Sequence, residues 1–176
     1  KFRLDGRVAL VTGGASGIGS AISTVLAGQG AAVAAHYFNS AEAAEALVAA
    51  ARIRGGRALA IQADLSKPGE ADRVVAATIE GLGGLDILVN NAGFLVRRCP
   101  VAEMPDELFR TILDVNLTST FWMCRAALQH MLCKGSGSIV NMSSAAAFAG
   151  GGNGAAIYAA SKAAIVGLTR ALAKEV

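Results

Sequence analysis

Five short apolar runs separated by longer helical patterns, strands that are apolar almost throughout instead of alternating, and glycine clusters at the ends of several of those runs together predict a doubly wound parallel α/β sheet. The first run, Val8 to Thr12, is rich in β-branched residues and passes through glycines into a helical pattern over Gly17 to Gln29. The second strand is expected at Ala32 to Ala35 and its helix at Ala41 to Arg54. Asn39, three residues before Glu42, is placed to cap that helix, and the Gly55-Gly56 pair to end it in a left-handed turn. Ala58 to Ala63, Leu85 to Asn90 and Ser138 to Met142 read as the third to fifth strands. Helices over Gly69 to Gly81, Pro105 to Cys133 and Ala155 to Lys174 complete the alternation. The alanine-rich stretches Ala41 to Ala51 and Ala145 to Ala149 read as helix and tight packing, since regular apolar positions flank them.

Composition narrows the class. A chain of 176 residues suits one domain over 1–176, and at 53% hydrophobic and 16% charged residues it has ample material for a core and a subunit interface. No apolar run approaches the ~18–20 residues of a membrane span. The net charge of +3 comes from scattered Lys and Arg with no interleaved aromatics, so no nucleic-acid partner is expected. Cys99, Cys124 and Cys133 form no CxxC pair, and neither His36 nor His130 lies near them at ligand spacing. Reduced thiols in a cytoplasmic protein, and no metal site, are therefore expected. Lys1 to Arg7 is polar and shows no signal peptide. The chain does not begin with Met and stops at Val176 directly after a helical pattern, which reads as a domain lacking its C-terminal strand or strands.

The loop Thr12-Gly13-Gly14-Ala15-Ser16-Gly17-Ile18-Gly19 joins a strand to a helix, where backbone N–H groups and the helix N-terminus can face a diphosphate. No Gly-Lys-Ser/Thr follows, so a P-loop is excluded. Tyr158 and Lys162 stand four apart on a predicted helix and share one face, so an ammonium can favour the phenolate and bring a group of pKa near ~10 toward acid/base use. Ser143 and Ser144 close a strand with side chains on opposite faces, so only one of them can meet the Tyr158 hydroxyl.

Five motifs then fall in one order: Gly13 to Gly19, Asn90-Asn91-Ala92-Gly93, Asp114-Val115-Asn116-Leu117, Asn141-Met142-Ser143-Ser144 and Tyr158-Ala159-Ala160-Ser161-Lys162. In this the chain resembles the short-chain dehydrogenase/reductase family, with spellings similar to its 3-oxoacyl-[acyl-carrier-protein] reductase branch, over nearly its whole length. The resemblance implies a Rossmann-type fold and an NAD(P)-dependent oxidoreductase. It selects Ser144 to hydrogen-bond a substrate carbonyl, with Tyr158 moving the proton, Lys162 also holding the nicotinamide ribose, and Asn116 supporting a water relay to that lysine. It places Gly13, Ser16, Gly17, Ile18, Gly19, Asn91, Ala92 and Gly93 against the cofactor, with Asp64 and Leu65 at the adenine. Read without the family, Asp64 is a turn-forming strand-end Asp and Asn116 a helix-interrupting polar residue satisfied by backbone. The resemblance also implies a homo-oligomer, dimer or tetramer, assembled through Pro105 to Cys133 and Ala155 to Lys174.

Cofactor choice turns on the end of the second strand, where an acidic residue would hold a ribose 2′-hydroxyl and repel a 2′-phosphate. Here His36-Tyr37-Phe38-Asn39 carries no acid, and Tyr37 stands where NAD-preferring relatives have Asp, so NADP(H) is favoured over NAD(H). Small donors, Asn39 and Ser40 with His36 as a helper, are left to meet the phosphate. The loop Gly150-Gly151-Gly152-Asn153-Gly154 between Ser144 and Tyr158 reads as a flexible wall of the substrate site. The function expected is hydride transfer between a nicotinamide and a carbonyl or secondary alcohol. A 3-oxoacyl thioester is the first candidate substrate and a sugar or polyol the second. The rivals are a non-catalytic dinucleotide-binding sensor, which need not keep all four of Asn116, Ser144, Tyr158 and Lys162, and a methyltransferase, which would not need the Tyr/Lys pair.

Overall fold

The computed structural model describes residues 3–176. Five strands, β1 (Val8–Val11), β2 (Ala32–Tyr37), β3 (Ala58–Gln62), β4 (Ile87–Asn90) and β5 (Ser138–Asn141), form one sheet in the order β3-β2-β1-β4-β5 with every pairing parallel. The helices are α1 (Gly17–Gly28), α2 (Ala41–Ile53), α3 (Glu70–Leu82), α4 (Asp106–Leu113), α5 (Ser119–Lys134), α6 (Ala146–Ala149) and α7 (Ala156–Glu175). The Rossmann-type expectation is met. The chain runs outward from β1 through β2 to β3, then returns to lay β4 on the other side of β1. That reversal leaves a crevice at the carboxyl ends of β1 and β4, where ligands bind in folds of this kind.

The strands are apolar because both faces are covered. Leu10, Ala34, Leu88 and Leu85 face α3 and α5 and join Val74, Met123 and Met131 in the largest core cluster, all under 5% exposed. At roughly 1.5–3 kcal/mol for each large apolar side chain buried, this layer is what fixes the sheet and its register. The opposite face is lined by small residues, Ala9, Ala31 and Val33, against which Leu26 and Ala27 of α1 pack closely. Sheet register aligns Asn90 with Asn141 and Val11 with both Ala35 and Val89, so the loops after β1, β2, β4 and β5 emerge side by side. β5 forms one edge of the sheet, with Val140 48% exposed.

Two expectations are corrected here. Pro105 to Cys133 is not one continuous α-helix: α4 and α5 are joined by a wider, π-helical turn over Asp114–Thr118. Asn116 makes that turn possible, because its Nδ2 donates to the Ile112 carbonyl, while Thr120 and Ser119 hydroxyls donate to the carbonyls of Asn116 and Val115. Nor does Asn39 cap α2: the N-cap position is Ser40, and its side chain makes no capping bond. Gly55 does end α2 at φ +77° as expected. By length and composition alone α7 could cross a membrane; the residues it buries include Ser161 and Lys162, so its inward face is polar.

Candidate active site

The glycine loop between β1 and α1 is built for close approach. A Cβ on Gly19 would collide with the Gly13 carbonyl oxygen and stand 2.6 Å from Asn91 Nδ2, so the first turn of α1 can lie against the loop only with glycine there. Ser16 precedes the helix with extended backbone and no side-chain cap bond, and Ser16, Gly17 and Ile18 are exposed. The first amides of α1 therefore face outward at the positive end of the helix dipole.

Three side chains hold this loop in place. Thr12 Oγ1 accepts from the amides of Asn91 and Ala92, at 3.0 Å each, and Asn91 Nδ2 donates back to the carbonyls of Thr12 (3.0 Å) and Gly13 (3.2 Å). The third is His36, which sequence reasoning assigned to a phosphate. It is 3% exposed, accepts from the Gly13 amide through Nδ1 at 3.1 Å and meets the Ala63 carbonyl through Nε2 at 3.1 Å. Both ring nitrogens are thus engaged inside the protein, and the phosphate-helper role is corrected. Burial pushes its pKa down, keeping the ring neutral.

Beyond His36, Tyr37 is half-buried at the end of β2, while Phe38 is 53% exposed and Asn39 is exposed on the rim of the crevice. No acidic residue stands among them. Asp64 Oδ1 accepts from the amide (3.0 Å) and hydroxyl (2.6 Å) of Ser66, so its turn-forming role is real and leaves the other carboxylate oxygen available. The Leu65 side chain lies in the main core, which leaves only its backbone for a ligand.

The second half of the site converges on Gly93. A Cβ there would stand 2.6 Å from Asn116 Oδ1 and 3.0 Å from Lys162 Nζ, so glycine at this point keeps a small space open between two polar atoms. Asn116 is fully buried. Its Nδ2 donates to the carbonyls of Phe94 and Ile112, at 2.9 Å each, and its Oδ1 has no partner. Lys162, 4% exposed, donates to the Met142 carbonyl at 3.1 Å, and among the described residues no carboxylate pairs with it. Burial pushes its pKa down. Its Nζ lies 6.0 Å from the centre of the Tyr158 ring one turn earlier on α7.

The two serines separate as alternation requires, although β5 ends at Asn141 and they follow it in a loop. Ser143 Oγ donates to the Lys162 carbonyl and so faces α7 (2.8 Å), whereas Ser144 Oγ accepts from the Ala146 amide (3.2 Å) and keeps its proton free to donate. The glycine-rich loop that follows is pinned, not loose: Arg98 Nη1 donates to the carbonyls of Gly151 (3.1 Å) and Asn153 (2.7 Å), and the Cys99 amide to Gly154 (2.9 Å). Sequence reasoning also missed a buried network in which Asn90 Nδ2 donates to Asn141 Oδ1 (2.8 Å), Cys124 contacts both, and Asn141 Nδ2 donates to Thr169 (3.0 Å). Burial raises the Cys124 thiol to about 11, so it is an inert packing group. The only cue was an Asn at the end of each of two strands, Asn90 and Asn141.

Comparison with known proteins finds relatives over nearly the whole chain. The short chain dehydrogenase family model matches residues 7–176. A 3-oxoacyl-[acyl-carrier-protein] reductase of Synechocystis sp. is 39% identical over 98% of this chain and 69% of its own, and a D-threitol dehydrogenase of Mycolicibacterium smegmatis is 43% identical over 99% and 66%. A short chain dehydrogenase of Burkholderia cenocepacia J2315 solved in complex with NADP superposes with a TM-score of 0.91 at 42% identity, covering 98% of this chain and 69% of that one. An NADH-dependent reductase responsible for alginate metabolism gives 0.92 at 34% identity, covering 98% and 72%. The chain spans about two thirds of the length of these relatives.

Proposed function

The chain belongs to the short chain dehydrogenase family, and from that premise we propose that it transfers a hydride between NADP(H) and a carbonyl or secondary alcohol, with Asn116, Ser144, Tyr158 and Lys162 as the working side chains. The observation that carries this reading is Lys162: a buried ammonium with no carboxylate partner among the described residues, one helical turn from Tyr158 and beside Gly93 in the loop after β4. A buried cation of that kind is costly unless it is used.

The residues fit a dinucleotide. The Gly13–Gly19 loop, with Ala92 against Gly13, offers outward amides to a diphosphate, the Tyr37–Asn39 rim suits the adenosine ribose, Asp64 and the Leu65 backbone suit the adenine, and Gly93 borders the space beside Lys162. A bound nicotinamide supplies the hydride acceptor or donor. The chain's own part is the proton. Tyr158 gives it to a carbonyl oxygen or takes it from an alcohol, Ser144 donates a hydrogen bond to that same oxygen, and Lys162 holds its ammonium 6.0 Å from the Tyr158 ring. Asn116 Oδ1, buried and unpartnered beside Lys162 Nζ, suits a water through which protons reach the lysine.

Absence of an acid at Tyr37–Asn39 favours NADP(H), in line with the NADP complex of one structural relative; the NADH-dependent relative shows that the fold itself does not decide. For the substrate, a 3-oxoacyl thioester comes first, and a polyol second because a D-threitol dehydrogenase is comparably similar. Self-association is proposed through α4, α5 and α7. The deciding experiment is a fluorescence titration with NADPH and NADH on the native chain and on Tyr37→Asp. Tighter NADPH binding that reverses in the variant supports the reading, and binding of neither would overturn it.

A further inference from the structure

We infer that His36 is a positioning residue for the cofactor, a neutral latch that sets the glycine loop in its diphosphate-binding shape. This rests on the dinucleotide reading above. Two successive amides of the loop end on this one residue: Gly13 N–H donates to the imidazole Nδ1 at 3.1 Å, and Gly14 N–H to the His36 carbonyl at 2.8 Å. The far side of the ring reaches the Ala63 carbonyl at 3.1 Å, so one side chain ties the loop after β1 to the end of β3 across β2.

These partners fix the tautomer. A backbone amide only donates and a carbonyl only accepts, so Nδ1 carries no proton and Nε2 carries one. Protonating Nδ1 would set a donor against the Gly13 amide and release it. The surroundings oppose that protonation through burial, with Arg73 of α3 acting in the same direction, while the Ala63 carbonyl, Glu70 of α3 and Asp64 after β3 act against it; the glycine loop brings no charge to the ring. His36 also directly precedes Tyr37, so it stands between the part of the crevice suited to a diphosphate and the part suited to the ribose. A histidine kept only for packing would not need both nitrogens aimed at backbone groups of two different loops.

The test separates the two ends of the ring. Asn places an amide oxygen where Nδ1 lies and keeps the acceptor for Gly13; Gln reaches Ala63 instead and leaves Gly13 unpartnered. NADPH affinity of the native chain, His36→Asn and His36→Gln would be measured by fluorescence titration across about pH 5 to 8, with thermal unfolding alongside. His36→Asn is expected to bind within about threefold of native, and His36→Gln at least about tenfold more weakly, the loss expected when a buried amide goes unpaired. Because burial holds His36 below its ordinary value of 6.5, native affinity is expected to fall only toward the acid end of that pH range, and His36→Asn to show no such fall. Equal binding by both variants, or an unchanged acid dependence in His36→Asn, would overturn the latch while leaving the dinucleotide reading standing. A native chain that binds neither NADPH nor NADH would overturn that reading and the latch with it.

Discussion

The carbonyl oxygen of Gly13 occupies the place that a Cβ on Gly19 would need. The obstacle is backbone, which no rotamer change relieves, and Asn91 Nδ2, which holds the Gly13 carbonyl, is only 2.6 Å from the same point. Gly19→Ala must therefore push α1 away from the loop. Since a displacement of about 1 Å at a positioned group can cost on the order of 100-fold, NADPH affinity is expected to fall by about 10- to 100-fold. Gly28→Ala, at the end of the same helix with nothing within 4 Å, is expected to leave binding unchanged and to raise stability by about 0.4–1 kcal/mol. Titration and thermal unfolding of the pair check both statements.

Tyr158→Phe is expected to lower turnover by about 10²–10⁴ while cofactor binding persists, because only the proton-transfer hydroxyl is removed. Lys162→Met is expected to lose turnover without losing the fold, since it replaces a buried cation, bonded to the Met142 carbonyl alone, with an apolar chain of similar reach. The native chain carries a pH signature of this residue. Burial holds Lys162 below its ordinary value of 10.5, so above neutrality the unfolded state binds more protons at this site, and stability attributable to it rises with pH up to that value. Urea unfolding of native and Lys162→Met chains through this range should show the rise only in the native chain.

What could be read from sequence was local. Strand ends are marked by apolar runs breaking into glycine, and the spacing of four between Tyr158 and Lys162 places them on one helix face without any tertiary knowledge. His36 shows where locality fails. Its partner Gly13 is 23 positions away, so an imidazole beside a phosphate-facing rim looked like a ligand when it is a buttress. The π-helical turn at Asp114–Thr118 was hidden because one extra residue per turn barely disturbs an apolar pattern; the run Thr118-Ser119-Thr120, whose hydroxyls bond back one turn, was its signal. Asn90 and Asn141 meet through parallel register, which nothing near either residue encodes.

Asn116→Ala tests the π-helical turn and the site together. The asparagine supplies Nδ2 to the carbonyls of Ile112 and Phe94, and its loss removes both bonds and leaves a cavity at a fully buried position. A destabilisation of about 1–3 kcal/mol is expected in urea unfolding. Turnover should fall by more than NADPH affinity, because the group lost faces Lys162 from beside Gly93.

At the opposite end of the sheet, Asp86 gathers three donors: the Val8 amide at 2.8 Å, Arg7 at 3.0 Å and Lys134. Burial pushes its carboxyl up, but the bonds from Lys134, Val8 and Arg7 outweigh burial and hold it below the ordinary 3.8. With the folded value depressed, the unfolded state binds more protons at acid pH. The stabilisation is therefore complete above about pH 4 to 5 and is lost as pH falls through the folded value. Asp86→Asn is expected to cost about 1–3 kcal/mol at neutral pH, the range for charged hydrogen bonds, and the gap from native should narrow as acid protonates the native carboxyl. The crevice lies at the carboxyl ends of the strands, so NADPH affinity at neutral pH should not change. Urea unfolding at both pH extremes, with one titration at neutral pH, distinguishes this scaffold role from any part in the site.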